Sequence, residues 1–222
     1  MLKVLIAPVT PFKQNCSLVW CEETMEGTAI DPGGDFDMLK AAIDENGLRI
    51  TKVLLTHGHV DHASAAGTMA EHYGVEIEGP HKDDLFLIEG LPASGAKYGF
   101  PAYKPFVPDR WLTGGEQVSL GNNTFDVVHC PGHTPGHIVF VHKPSKLAFV
   151  GDVLFRGSVG RTDLPRGNHE QLIHSIRKGL WPLGEDIQFV PGHGQMSTFG
   201  WERKTNSFVA DLLFDDDEAA ST

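Results

Sequence analysis

The segment that most constrains this chain is a group of four metal-capable side chains within six residues, directly after the apolar run 53–55. It reads Thr56-His57-Gly58-His59-Val60-Asp61-His62. A helix would place His57 and His59 on different faces, whereas a loop at the end of a buried strand lets all four side chains turn inward. Imidazoles and a carboxylate at this density suit zinc, iron or manganese. The sequence therefore predicts a metal site at the end of a strand.

Three later strand ends carry further metal-capable residues, each beside a glycine. They are His133 and His193, both in Pro-Gly-His turns, and Asp152, which follows Gly151. Glycine permits sharp turns and a close approach of the backbone to a metal centre. Together with the first segment this gives seven candidate ligands: His57, His59, Asp61, His62, His133, Asp152 and His193. Because one zinc ion takes three or four protein ligands, seven predict two metal ions with a bridging carboxylate.

The neighbours of His133 need separate interpretation. A lone Pro-Gly-His turn is common, so only the shared strand-end context makes His133 and His193 informative. We expect His129 and His137 to lie on strand faces, with a role in orienting ligands as the alternative. Cys130 precedes His133 by three residues, and we expect it to be a small buried residue rather than a ligand.

Composition narrows the class of protein. The 222 residues suit one domain, predicted over 1–213, followed by an acidic and disordered tail at 214–222. A net charge of -11 argues against a nucleic-acid or anionic-membrane partner. Three cysteines without a C-x-x-C pair make a disulfide framework unlikely to form, and they favour a cytoplasmic protein. We identify neither a signal peptide nor an apolar run long enough to span a membrane.

The order of elements predicts the layers of the fold. Short strands rich in Val, Ile and Leu run together, and helices separate the groups, which indicates two sheets packed face to face with helices outside. Residues 79–109 predict a short helix at 83–88 and then a long loop with several prolines and aromatics. Such a loop is typical of a lid or substrate wall, although its aromatics could equally pin it to the core. A last helix is predicted over 202–213.

The four motifs, in their order along the chain, resemble those of the metallo-β-lactamase superfamily. The resemblance implies an αββα sandwich, two mixed sheets with helices outside and a metal site at the sheet edges. It also implies a division of the candidate ligands. His57, His59 and His133 would bind the first metal, Asp61, His62 and His193 the second, and Asp152 would bridge the two.

Finer features resemble the short bacterial type II glyoxalases, which hydrolyse hydroxyacylglutathione thioesters. They are the segments 15–20, 31–34, 160–167 and 202–206. The resemblance implies conversion of S-lactoylglutathione to a hydroxy acid and glutathione by metal-bound hydroxide, which Asp61 would position. Arg161 would clamp a substrate carboxylate or, equally, form a structural pair with Asp163 or with the neighbourhood of Asp152. Little chain follows His193, so the C-terminal helical domain of the longer enzymes is not expected.

Two alternatives stay open, one within the same fold and one of a different class. A mononuclear iron persulfide dioxygenase would use only His57, His133 and Asp152. A non-catalytic binding protein with a vestigial metal site would be expected to have lost ligands, and none is missing here. For the hydrolase we expect two divalent metal ions, zinc first and iron or manganese next. Its partner would be a small-molecule thioester, and the chain would be a monomer or a small homo-oligomer.

Overall fold

The computed structural model describes residues 1–214. In the first half of the chain the elements are β1 (Leu2–Val9), β2 (Gln14–Cys21), β3 (Glu26–Ile30), α1 (Phe36–Glu45), β4 (Arg49–Leu54), α2 (Val60–Ala63), α3 (Ala66–Tyr73), β5 (Glu76–Glu78) and α4 (Leu85–Tyr98). In the second half they are β6 (Gln117–Leu120), β7 (Asn123–His129), β8 (Ile138–His142), β9 (Leu147–Gly151), β10 (Leu154–Phe155), β11 (Ser158–Val159), α5 (His169–His174), β12 (Gln188–Pro191), β13 (Ser197–Thr198) and α6 (Phe199–Thr205). A π-helical segment, Ser175–Leu180, continues α5.

Two mixed sheets carry the fold. The first has the order β1-β2-β3-β4-β5, in which β3 pairs in parallel with β4 and β4 with β5. The second has the order β13-β12-β9-β8-β7-β6, and its one parallel pair is β12 with β9. Strands β10 and β11 form a separate two-stranded hairpin. Apart from the pair of β12 with β9, the neighbouring strands of the second sheet are antiparallel.

Three apolar clusters fill the spaces between the layers. One lies between the sheets and combines Leu54 of β4 with Phe125 and Phe140 of the second sheet. Another joins the first sheet to its helices; it includes Leu39 and Ile43, which lie one helical turn apart on α1. The third packs the second sheet against α5 and α6. The layers follow the order helix, sheet, sheet, helix, which confirms the predicted αββα sandwich.

Helix α4 corrects the expectation for residues 79–109. The helix runs from Leu85 to Tyr98, well beyond the predicted end at 88, although Pro92 lies inside it. A proline in a helix costs about 3 kcal/mol, because it removes a backbone donor and crowds the preceding turn. Ile88 and Leu91 are buried in the core on one face of α4, and each such side chain contributes about 1.5–3 kcal/mol. Burial of this face therefore offsets the proline.

The C-terminal end of the described chain also differs from expectation. The predicted helix 202–213 is wrong, because α6 begins earlier, at Phe199, and ends at Thr205. A separate 3-10 turn occupies Asp211–Leu213. Phe214 is placed under the guanidinium of Arg177, 3.9 Å from the ring centroid, and the rest of the predicted tail, 215–222, lies outside the described residues. Within 1–214, no helix has the length and apolar character needed to cross a bilayer.

Candidate metal centre

The candidate ligands meet because their strands end at the same edge. Strand β7 is antiparallel to β8, β8 is antiparallel to β9, and β9 is parallel to β12, so β7, β9 and β12 run in one direction. His133, Asp152 and His193 follow the carboxyl ends of these three strands. The segment after β4 of the opposite sheet brings the remaining four. The edge where the two sheets meet therefore collects all seven predicted residues.

The first cluster consists of His57, His59 and His133, with ligand atoms that all lie within 4.8 Å of one another. His59 Nδ1 is 3.1 Å from His57 Nε2 and 2.9 Å from His133 Nε2. Burial lowers the pKa of all three imidazoles, that of His59 to about 3. Their nitrogen lone pairs are therefore free of protons at neutral pH, the state in which histidine binds a metal.

The second cluster consists of Asp61, His62 and His193, again with ligand atoms within 4.8 Å of one another. His193 Nε2 lies 3.1 Å from Asp61 Oδ2, and His62 Nε2 lies 3.9 Å from the same oxygen. Burial opposes a charge on His62, but the carboxylates of Asp152 and Asp61 outweigh it and raise the His62 pKa. A positive charge is therefore favoured at this position, and a divalent cation can supply it in place of a proton.

Asp152 lies between the clusters. Its Oδ1 is 3.4 Å from His62 Nε2, and its Oδ2 is 3.6 Å from His133 Nε2 and 3.7 Å from His193 Nε2. Burial favours the neutral acid, but the histidines, His62 first, outweigh it and lower the Asp152 pKa. Asp152 Oδ1 and His62 Nε2 are buried atoms without a hydrogen-bond partner. Such orphaned atoms are costly unless a cation satisfies them, so the donor set fits divalent metals.

Hydrogen bonds from Nδ1 to the backbone orient His133 and His193 so that the Nε2 atom of each faces the centre. The Nδ1 atom of His133 donates to the carbonyl of Arg161 at 2.7 Å, and that of His193 donates to the carbonyl of Phe12 at 3.1 Å. In both residues Nε2 is therefore the nitrogen that is left to bind a metal, and it faces the carboxylates. The backbone therefore fixes the tautomer that a metal ligand requires.

Asp31 and Thr56 orient the other histidines, a role that was not predicted from the sequence, where segment 31–34 served only as a point of family resemblance. Asp31 accepts hydrogen bonds from the backbone N–H of Thr56 at 2.7 Å, from its hydroxyl at 2.6 Å and from His62 Nδ1 at 2.9 Å. The Thr56 hydroxyl in turn lies 3.0 Å from His57 Nδ1. One buried carboxylate thus supports a histidine of each cluster. Asp31 follows the end of β3, the strand beside β4, and this position is the sequence feature that could have indicated its closeness to the ligands after β4.

His137 corrects a second expectation. It is completely buried rather than a strand-face residue, and its ring stacks on that of His57 with centroids 4.5 Å apart. Its Nε2 accepts a hydrogen bond from the backbone N–H of Asp152 at 3.0 Å. His137 therefore helps to orient the candidate ligands His57 and Asp152, which was the alternative expected from the sequence. His129 ends β7 and lies 2.9 Å from the carbonyl of Pro135, and Cys130 is fully buried as expected.

Asp84 connects the two ligand-bearing loops and also escaped sequence analysis. Its buried carboxylate accepts hydrogen bonds from the backbone N–H of Gly58 at 3.0 Å, from the hydroxyl of Thr134 at 2.8 Å and from the backbone N–H of Gly136 at 2.6 Å. Gly58 lies between His57 and His59, and Thr134 follows His133. One side chain at the start of α4 therefore holds the loops of the whole first cluster.

An open cleft of about 800 Å³ leads to the clusters. Its floor includes His59, Asp61, His133, Asp152 and His193. One wall is α4, and the other is formed by residues that include Phe155, Val159, Arg161 and Leu164. The predicted substrate contact Arg161 does line the cleft. Its guanidinium, however, donates from Nε and Nη2 to the two carboxylate oxygens of Asp163, both at 2.7 Å, as the structural alternative expects.

A cluster of three histidines and a cluster of one aspartate and two histidines, together at the edge of an αββα sandwich, define the class of protein. The family model of the metallo-β-lactamase superfamily matches residues 9–193, and the chain belongs to that superfamily. It is 47% identical over 209 residues to the hydroxyacylglutathione hydrolase GloC of Haemophilus influenzae, an alignment covering 94% of this chain and 98% of that protein. The family and this relative identify the chain as a hydrolase.

Solved structures of similar proteins agree with this assignment. The BLEG-1 B3 metallo-β-lactamase superimposes with a TM-score of 0.85 at 33% identity, over 94% of this chain and 99% of that one. TTHA1623, solved in a di-iron-bound form, superimposes with a TM-score of 0.84 at 36% identity, over 93% of this chain and 100% of that one. Their similarity to this chain extends over almost the whole described fold.

Proposed function

We propose that this chain is a metal-dependent thioester hydrolase that converts S-lactoylglutathione to a hydroxy acid and glutathione. The observation that carries the proposal is the pair of complete clusters, with Asp152 between them, at the floor of an open cleft. The similarity to a hydroxyacylglutathione hydrolase supports the choice of thioester. The net charge of -11 supports a small-molecule substrate over a nucleic acid.

The residues divide into two binding sites for divalent ions. His57, His59 and His133 would hold one ion, and Asp61, His62 and His193 would hold the other. Asp152 would contact both. Bound ions supply two kinds of chemistry, since they lower the pKa of water toward neutrality and polarise a carbonyl group. Zinc is our first choice, and iron or manganese suit the same donors.

Asp61 has the position to act in the reaction itself. It lines the cleft, and its Oδ2 lies 3.1 Å from His193 Nε2. We assign it the role of accepting a hydrogen bond from the attacking water and so orienting the oxygen toward the thioester carbonyl. The water oxygen forms a bond to the carbonyl carbon, and the carbon–sulfur bond breaks. The sulfur leaves with the electron pair, and a proton from the water completes the free thiol.

The second cluster also weighs against the dioxygenase. A mononuclear iron site needs only His57, His133 and Asp152, so Asp61, His62 and His193 would have no metal to bind. In this structure the ligand atoms of Asp61, His62 and His193 nevertheless converge to within 4.8 Å of one another. A binding protein with a vestigial site would not need to keep them either. The complete second cluster therefore favours the dinuclear hydrolase.

The test is a kinetic comparison on protein whose metal content has been quantified. S-Lactoylglutathione is offered beside other thioesters, and release of free thiol is followed. Efficient turnover of S-lactoylglutathione supports the proposal. Absence of thioester hydrolysis by protein with both sites filled overturns it.

A further inference from the structure

The cleft contains two lysine or arginine side chains, and their surroundings differ. Lys97 and Arg161 both line it. Arg161 is bound through two nitrogen atoms to Asp163, and this pairing lowers the pKa of Asp163 to about 2. Within residues 1–214 Lys97 forms no ion pair with a carboxylate, and its ammonium lies 5.1 Å from the ring centroid of Tyr98. Lys97 is therefore the cation that is available to an anionic ligand.

Helix α4 presents Lys97 on the side that faces the cleft. Leu87, Gly90, Ser94 and Lys97 all line the cleft, at the spacing of three and four residues that places side chains on one helical face. At the inner end of this face Leu87 packs against the metal loop, because a Cβ on Gly58 would lie 2.8 Å from the Leu87 Cβ. Lys97 lies ten residues further along, about 15 Å at the rise of an α-helix.

Aromatic contacts hold the outer end of this helix in place. The ring of Phe12, from the turn between β1 and β2, packs edge-on against Tyr98 with centroids 5.9 Å apart. It also contacts Phe100, with centroids 5.6 Å apart. Gly99 caps the end of the helix, with a left-handed φ of 75°. Lys97 therefore extends from a fixed backbone, and its position in the last turn is favourable for a cation beside the helix dipole.

We propose that Lys97 determines specificity by binding a carboxylate on the thiol half of the substrate. This inference rests on the proposed thioester hydrolysis. A thiol carrier of tripeptide size spans about 10 Å from end to end when extended, and a sulfur on its central residue leaves one arm on either side. A helical side chain leans toward the N-terminus of its helix, which brings the Lys97 ammonium back toward the metal centre. When the sulfur of such a peptide lies at the metals, an arm that extends along α4 carries its terminal carboxylate toward Lys97.

The variant Lys97→Met tests the inference through a comparison of an anionic with a neutral substrate. Each variant is assayed with S-lactoylglutathione and with the uncharged ester S-lactoyl-N-acetylcysteamine. We expect the ratio of their kcat/KM values to fall about five-fold, the upper range for an exposed ion pair. The loss should be in KM for S-lactoylglutathione, because a contact remote from the reacting carbonyl acts equally before and during the reaction. It should also shrink as ionic strength rises.

The matched control is Lys104→Met. Lys104 is exposed, bonds to Glu71 and does not line the cleft, so the ratio should stay as in the unmodified protein. Lys97→Glu adds a charge reversal, which should lower the ratio further and favour the cationic ester S-lactoylthiocholine. An unaltered ratio in Lys97→Met, with S-lactoylglutathione still hydrolysed, overturns the role of Lys97 and leaves the proposed function standing.

A binding measurement separates the two proposals. S-Methylglutathione carries the same carboxylates and has no thioester, so its affinity can be measured by calorimetry even if neither ester is hydrolysed. In that case the proposed function fails, and binding alone decides the role of Lys97. About five-fold weaker binding by Lys97→Met than by Lys104→Met supports the inference. Equal binding by the two variants overturns it.

Discussion

The Nδ1 atom of His62 lies 2.9 Å from Oδ2 of Asp31, and both side chains are buried. Asp31 thereby fixes a histidine whose Nε2 faces both Asp61 and Asp152. The same carboxylate also accepts a hydrogen bond from the hydroxyl of Thr56, which lies beside His57. Asp31 therefore supports a histidine in each of the two clusters. Metal affinity should therefore depend on a residue that is not itself a proposed ligand.

Asp31→Asn should weaken metal binding without removing a proposed ligand. The amide keeps the size of the side chain but loses the charge that orients His62, and such supporting contacts are worth about 10- to 100-fold in metal affinity. Competition with a chromophoric chelator measures the loss. Asp37→Asn, in the exposed first turn of α1, is the control and should keep the original affinity. Equal affinity in both variants would mean that Asp31 has no orienting role.

Gly192→Ala should abolish metal binding at the centre. A Cβ at this position would lie 2.0 Å from Asp152 Oδ1 and 2.6 Å from His62 Cε1, so both side chains must move. Metal analysis after dialysis checks the outcome. Gly90→Ala is the matched control, because nothing lies within 4 Å of its added Cβ and alanine favours a helix. Full metal content in Gly192→Ala would contradict the placement of Asp152 and His62.

Asp84 should make stability depend on pH. Burial raises the pKa of Asp84 to about 6, above the value of about 3.9 for an unfolded chain. The folded state therefore binds the proton of Asp84 more tightly than the unfolded state does. The resulting contribution to the free energy of unfolding is complete below about pH 4 and is lost as pH rises through about 6. A shift of about two units corresponds to about 3 kcal/mol.

Urea unfolding of metal-free protein at several pH values tests this prediction. The free energy of unfolding of the unmodified protein, relative to that of Asp84→Asn, should fall by about 3 kcal/mol between pH 4 and 7. The comparison cancels the titration of groups that both proteins share. A difference that stays constant over this range would show that Asp84 has an ordinary pKa.

The proposed ligands could be predicted from the sequence because each lies in a short motif at a strand end. Their supporting residues could not. Asp31 precedes the ligand that it orients by 31 positions, and Asp84 follows Gly58 by 26. No local pattern relates residues at such separations, and only the arrangement of β3, β4 and α4 brings them together. His137 follows a motif closely, but its burial depends on packing against His57.

Helix ends were predicted less well where tertiary packing outweighs local preference. The sequence rule that proline ends a helix fails at Pro92, since the buried face of α4 stabilises the turn around it. At the other end of the chain, Asn206 ends α6 with extended backbone geometry and donates its side-chain amide to the buried Glu202. That hydrogen bond is not visible in the periodicity of residues 202–213.

The proposed dinuclear hydrolysis is tested most directly by counting metal ions per chain while measuring turnover of S-lactoylglutathione. Two ions per chain, thiol release and no oxygen uptake are the predicted result. Asp61→Asn should keep the fold but lower turnover at least about 100-fold, since the amide lacks the charge and the second oxygen with which the carboxylate orients the water. One ion per chain, together with oxygen consumption when glutathione persulfide is the substrate, would contradict the proposed dinuclear hydrolysis and identify an iron dioxygenase.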